Sequence, residues 1–255
     1  MGNTEFSIQV FSGKEYTREL KQFFDKVFHP EPVGTLAETL SLSHPVFGNQ
    51  GRWIVARHNP TGNIAAAMAF IPWNICLAGQ DIPAAEQGIV GTAEQHRGRL
   101  LMRLLNKHFD ALLEDTGCIF AMIQGIPNFY HKFGYYYGLE LENHINMELH
   151  AVSDREDEKT IIREAQITDI RMFIEEDKER KSEYLFYSQR SAGCWEYMFD
   201  PGMQTETAGK VYIFQEEHDC KQYYVKTMYE GFGEGLIISE MSENLPVSIT
   251  KSMLS

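Results

Sequence analysis

The chain has 255 residues, 43% apolar and 12% aromatic, which suffices for real cores in two modest domains and excludes general disorder. Its 23 basic side chains face 36 acidic ones, and the net charge of −13 excludes a broad nucleic-acid-binding surface, because phosphates are repelled. Cys76, Cys118, Cys194 and Cys220 form neither a disulfide framework nor a zinc pattern, and no segment approaches the roughly 20 apolar residues that span a bilayer. With no secretory or myristoylation signal at the start, the expectation is a cytoplasmic protein without a membrane anchor or a metal.

Residues 15–28 read as an amphipathic helix with Leu20, Phe23, Phe24, Val27 and Phe28 on one side, ended by Pro30 and Pro32. Strands at 52–57 and 64–71 flank the turn Asn59-Pro60-Thr61-Gly62, and a second hairpin runs from 74–77 through 78–81 into 82–92. Leu100, Leu101, Leu104, Leu105, Phe109, Leu112 and Leu113 then recur at helical spacing as far as Gly117, which reads as a C-terminal cap. A buried strand at 118–124, with Cys118 inside it, completes a strand–helix–strand unit with parallel strands. The segment 141–149 alternates as a half-wet strand, and the charged run 153–159 reads as a linker. Beyond it come a strand at 160–165, a helix from Thr168-Asp169, a helix at 188–199 and strands at 210–215, 221–228 and 236–240. No long helix or buried strand is expected after Glu240.

Two segments carry chemistry. In the first, Val90-Gly91-Thr92 ends a strand, Gly98 turns the chain, and a helix opens beside Arg97 and Arg99. Free N–H groups and the positive dipole end make such a helix start an anion site. Two arginines there oppose the dipole, which makes sense if a phosphate sits between them. In the second, Gly125 to Tyr135 follows the parallel strand, where open α/β sheets bind ligands. The Tyr130 hydroxyl is placed to protonate a departing thiolate, although an aromatic cluster packing the sheet explains the same residues structurally.

Together the two segments resemble the GNAT acetyltransferases, whose pattern is strand, Arg-x-x-Gly-x-Gly/Ala, helix, strand, then Tyr-x-x-Phe-Gly-Phe/Tyr. Arg97 opens the first motif, and Tyr130-His131-Lys132-Phe133-Gly134-Tyr135 forms the second. Gly125-Ile126-Pro127 resembles the enhanced-intracellular-survival branch, the multi-acetylating aminoglycoside acetyltransferases. That branch carries a GNAT domain, a second GNAT-like domain and usually a sterol-carrier-like domain. Ile162-Arg163-Glu164-Ala165, Asp169-Ile170, Gln189-Arg190 and Trp195 are similar to the start of its second domain.

The resemblance implies an α/β (α+β) GNAT fold: a mixed, mostly antiparallel sheet with a central parallel strand pair flanked by helices, then a smaller GNAT-like α/β region. The expected layout is a GNAT domain at 1–152, a linker at 153–160 and a partial second domain at 161–255, making the chain a fragment or a short form. It implies acetyl-CoA as co-substrate, with the backbone of Val90, Gly91, Thr92 and Gln124 along its pantetheine arm. Arg97, Gly98, Arg99, Leu100, Leu101 and Met102 would surround its pyrophosphate. Leu100 and Met102 stand where the pattern has glycine and glycine or alanine; an alternative register starts the motif at Gln95 and puts Gly98 fourth.

The acceptor would be a primary amine of a small molecule or peptide, with the acidic charge leaning toward a cationic one. Tyr130 would be the general acid and Glu86 the candidate base, although Glu86 also fits a solvated strand position. His96, His131, His144 and His150 read as polar packing or wet-face residues. A homo-oligomer is expected because the branch commonly forms trimers or hexamers. A degenerate GNAT module that serves protein interaction is the alternative.

Overall fold

The computed structural model describes residues 5–139, 160–199, 209–228 and 237–253, arranged on two sheets. In the first, β1 (Phe6–Ser12) pairs antiparallel with β2 (Arg52–His58), which pairs with β3 (Ile64–Leu77), which pairs with β4 (Gln80–Thr92). Ala78 and Gly79, at φ 50° and 76°, form the two-residue turn between β3 and β4. Two left-handed residues match the right-handed twist of the flanking strands.

Where the sequence suggests two strands broken near Pro72, β3 is one strand of 14 residues. Pro72 is tolerated because β2 pairs only as far as Phe70, and the next partner on that edge starts at Ile75. Its missing N–H falls in the gap between the two.

Helices α1 (Thr17–Phe28), α2 (Val33–Ser43) and α3 (Phe47–Gln50) cover one face, around Phe11, Leu20, Phe24, Leu40, Phe47, Trp53 and Val55. The opposite face buries Ile54, Met68, Phe70 and Ala85 under Leu101, Leu105 and Phe109 of α4 (Leu101–Thr116). Gly117, at φ 71°, caps α4. The sequence reading leaves out β1, α2 and α3. The buried side of α2 includes Gly34, Ala37, Thr39 and Ser41, so it shows no apolar stripe.

β5 (Phe120–Met122) is parallel to β4 over three rungs: Ala84–Phe120, Ala85–Ala121 and Glu86–Met122. It is shorter than the expected 118–124 and not buried, with Phe120 43% exposed. It ends the described strand order, so among the described residues only one of its edges is paired. The expected strand 141–149, with Glu142, His144, Asn146 and Glu148, lies outside the described residues, as do His150 and the charged run 153–159.

The second sheet has the order β10-β9-β8-β6, with β6 (Thr160–Glu164), β8 (Gly209–Glu216), β9 (Gln222–Met228) and β10 (Ile237–Met241) all antiparallel. Phe173 of α5 (Ile170–Lys181) and Trp195 of α6 (Ala192–Phe199) pack on Val211, Ile213 and Tyr224. Between these helices, β7 (Phe186–Ser188) joins the first sheet, pairing with β3 at Ile75–Leu77. Past Glu240 comes one short helix that the sequence reading does not name, α7 (Val247–Met253), which buries Ile249 against Phe214 and Val225. No described helix is long and apolar enough to cross a membrane.

Candidate active site

β4 and β5 stay together only as far as Glu86 and Met122, so from Gln87 to Thr92 the β5-side edge of β4 has no described strand partner. The N–H of Ala93 donates to the Ala65 carbonyl at 2.9 Å, toward β3. Backbone groups alternate between edges along a strand, so those of Val90 and Thr92 point to the open side. A bulge at this point, with Ile89 at φ 35°, turns the strand end. Gly91 sits under α1, where a Cβ would lie 3.2–3.3 Å from Phe24, Phe28 and Val27.

At the end of the open edge, a 3-10 turn (Glu94–His96) leads through Arg97, Gly98 and Arg99 to α4. Gly98 lies at φ 75°, and a Cβ there would meet nothing within 4 Å, so the loop is open to a ligand. Leu100 is also left-handed, at φ 60°, and 66% exposed. That is the conformation glycine adopts without strain. Leu101 is 2% exposed and turns its side chain into the core, leaving only its backbone to the loop. Met102 packs beside it, with its carbonyl accepting from Asn106 Nδ2 at 2.9 Å.

The two arginines differ. Arg99 Nη1 donates to both carboxylate oxygens of Glu5 at 2.8 Å, fastening the loop to the start of β1. Arg97 is exposed. The His96 ring lies 4.7 Å from that of His58 and 5.4 Å, edge-on, from that of Phe6, so His96 packs the loop down.

After β5, Gln124 is exposed. Tyr130 opens a 3-10 turn (Tyr130–Phe133), with its ring against Gly125, where a Cβ would come within 2.4 Å of Tyr130 Cε2. Gly134, at φ 89°, closes the turn, and His131 Nδ1 meets the Tyr135 carbonyl at 2.9 Å. Burial raises the Tyr130 pKa, keeping its hydroxyl protonated at neutral pH. Tyr135, 6.0 Å away ring to ring, donates to Gln87 Oε1 at 2.8 Å, and burial raises its pKa too. Gln87 pairs with Phe70, which packs on Phe109 of α4, so this group lies on the α4 face.

Glu86 lies on the other face, pairing with Ile71 at the last β4–β5 rung. Trp73 Nε1 donates to Glu86 Oε2 at 2.9 Å, while burial raises the carboxyl pKa. The His44 ring stands edge-on to Trp73 at 5.6 Å and to Tyr197 of α6 at 5.0 Å, bringing the second half of the chain to this wall. Sequence reasoning missed Trp73 and Gln87, and named Tyr135 only as the end of its motif. The turn at Ala78-Gly79 fixes the register that sets Trp73 beside Glu86, and that was the available signal.

Residues 11–138 match the acetyltransferase (GNAT) domain family, half of the chain. This chain belongs to the GNAT acetyltransferase family. The GNAT chain is also similar in fold to a conserved Enterococcus faecalis protein of unknown function described as a probable N-acyltransferase. That match has 16% identity and a TM-score of 0.65, covering 98% of this chain and 61% of the other. Saccharomyces cerevisiae N-myristoyltransferase with bound myristoyl-CoA matches at 12% identity and a TM-score of 0.61, covering 88% and 57%. A GCN5-related N-acetyltransferase from Kribbella flavida matches at 13% and 0.59, covering 98% and 60%. The chain thus spans about three fifths of the length of these structures. At such identities the likeness is one of fold. No curated protein matches the chain.

Proposed function

We propose that this GNAT chain is an acetyl-CoA-dependent N-acetyltransferase acting on a primary amine. The observation that carries the reading is that β4–β5 pairing ends at Glu86 and Met122 while β4 runs on to Thr92, with a candidate base on one face and a candidate acid on the other. In this reading the outward backbone groups of Val90 and Thr92 hold the pantetheine arm as an added strand would. The N–H groups from Gly98 to Met102, with Arg97, hold the pyrophosphate, while Arg99 stays with Glu5. Gly91 lets the strand run close under α1, and Gln124 lines the far wall.

Glu86 takes a proton from the incoming ammonium; its raised pKa suits a base working near neutrality. The amine nitrogen then bonds to the thioester carbon, the carbon–sulfur bond breaks, and the nitrogen and Glu86 each release a proton to solvent. Tyr130 gives its proton to the departing thiolate and is reprotonated from solvent. Carboxylate and phenol lie on opposite faces, so the amine enters from the α1–α2 side while the sulfur leaves toward α4.

The acidic chain favours a cationic acceptor. The second sheet, included in fold matches that cover 98% of the chain, supports a second GNAT-like domain of the enhanced-intracellular-survival kind. We extend the same reading to a cytoplasmic homo-oligomer. The exposed, left-handed Leu100 in the pyrophosphate loop favours one other reading, a binding module that has lost acetyl-CoA.

Calorimetric titration with acetyl-CoA separates the two. Micromolar binding, followed by thiol release with an amine panel, is the expected result. No binding by the native chain alongside binding by Leu100→Gly would establish the module reading instead.

A further inference from the structure

Gln87 is a glutamine in an apolar setting, 2% exposed, at the first position of β4 beyond the parallel rungs. Its neighbours on the ladder and on the same face are Phe70 and Ala85. A buried carboxamide brings two donors and an acceptor into that setting, and each needs a partner. The acceptor has one: Tyr135, on the segment after β5, donates to Oε1 at 2.8 Å. The donor has none among the described residues, where Nε2 is buried without a hydrogen-bond partner.

The bond to Tyr135 ties the carboxamide to the segment that follows β5, at the point where β4–β5 pairing ends. Gln87 thus lies one residue past the last β4–β5 rung, on the face that holds Tyr130, whose ring is 6.0 Å from that of Tyr135.

We propose that Gln87 Nε2 is a substrate-binding group that donates to the thioester carbonyl of the acyl donor, with Tyr135 as the positioning residue that fixes the amide. This rests on the acyl-CoA reading above. A strand advances about 3.3 Å per residue, so the path from Thr92 back to Gln87 is roughly 16 Å. That is the scale of an extended pantetheine arm whose phosphates lie near Gly98, and it brings the acyl end to Gln87. An N–H on the carbonyl oxygen strengthens as that oxygen gains charge, so it favours the attack itself.

The test uses the full chain, with acetyl-CoA and CoA as separate probes. The native chain is expected to bind both. Gln87→Met, close in shape but with no N–H, is expected to weaken acetyl-CoA binding about three- to tenfold, as for one neutral hydrogen bond, and to leave CoA binding unchanged. Tyr135→Phe releases the amide and is expected to give a smaller loss in the same direction. With acetyl-CoA labelled with carbon-13 at the carbonyl, the bound infrared band is expected to lie lower in the native chain than in Gln87→Met. Equal loss of CoA and acetyl-CoA binding, or an unmoved band in a Gln87→Met chain with native circular dichroism, would overturn the proposal. Failure of the native chain to bind either probe overturns the acyl-CoA reading and this inference with it, a result distinct from native binding that Gln87→Met leaves unaltered.

Discussion

The indole of Trp73 and the carboxylate of Glu86 meet at 2.9 Å from adjacent strands, so the candidate base is both desolvated and held by a single donor. Burial raises the Glu86 pKa, and the indole, which favours the ionised form, opposes it. A base works only when deprotonated, so kcat/KM for amine acetylation is expected to climb with pH through a pKa above the ordinary carboxylate range. Trp73→Phe removes the opposing hydrogen bond and should move that limb to higher pH. Glu86→Gln should abolish the limb and lower kcat by about 10²–10⁴-fold. A pH–rate profile for the three proteins decides this, and an unchanged limb in Glu86→Gln would assign the base elsewhere.

Tyr130 and Gly125 form a second pair. Tyr130→Phe is expected to reduce kcat about 10²–10⁴-fold and leave the acetyl-CoA Kd nearly unchanged, because the hydroxyl acts on the leaving group only. In Gly125→Ala the new Cβ would fall 2.4 Å from Tyr130 Cε2, so the ring must move. The prediction is a kcat loss approaching that of Tyr130→Phe in a chain that still folds. Full activity in Gly125→Ala would show that the ring position does not matter.

Leu100 combines φ 60° with 66% exposure, so replacing it removes strain and little burial. A left-handed residue with a Cβ costs roughly 1–2 kcal/mol, partly offset by the greater entropy that glycine has when unfolded. Leu100→Gly should therefore stabilise the chain by about 1 kcal/mol, read as a higher melting temperature. A lower melting temperature would show that the Leu100 side chain has a packing role.

His44 sets a pH limit on the fold. Its Nδ1 accepts from the backbone N–H of Val46 at 3.3 Å and of Phe47 at 3.1 Å, and burial lowers its pKa to about 4. The unfolded chain takes up this proton near pH 6.5 and the folded chain only near 4. Stability is fully present above 6.5 and falls as the pH drops toward 4, by up to about 3 kcal/mol. Urea unfolding of native chain and His44→Asn at pH 7 and pH 4.5 should show a smaller acid loss in the variant.

Much of the first half was legible because its elements carry strong local signals. Residues 100–113 repeat at helical spacing, Gly117 ends the helix in the left-handed conformation, and Gly98 and Tyr130 stand in the family's motifs. β1, α2 and α3 were not; in α2 the buried Ser41 is satisfied by one partner twelve residues away and one on its own helix. Ser41 Oγ accepts from Trp53 Nε1 at 3.1 Å and donates to the Ala37 carbonyl at 2.8 Å. Trp73 and Gln87 escaped notice for a related reason. Their meaning depends on which strand faces which, and a glutamine reads as a surface residue until the ladder buries it.

β7 makes the boundary between the halves less separable than the chain order implies. Three of its residues lie against Ile75–Leu77, Ala78 N–H donates to the Leu185 carbonyl, and Gln189 holds Asn74 and Asp81. A polypeptide cut after residue 152 would retain both acetylation motifs and lose this strand. The tip of the β3–β4 hairpin would then present a bare row of N–H and C=O groups, the kind of edge on which chains stack into aggregates. Anyone seeking the smallest working piece of this molecule should therefore keep residues 186–189 attached to it.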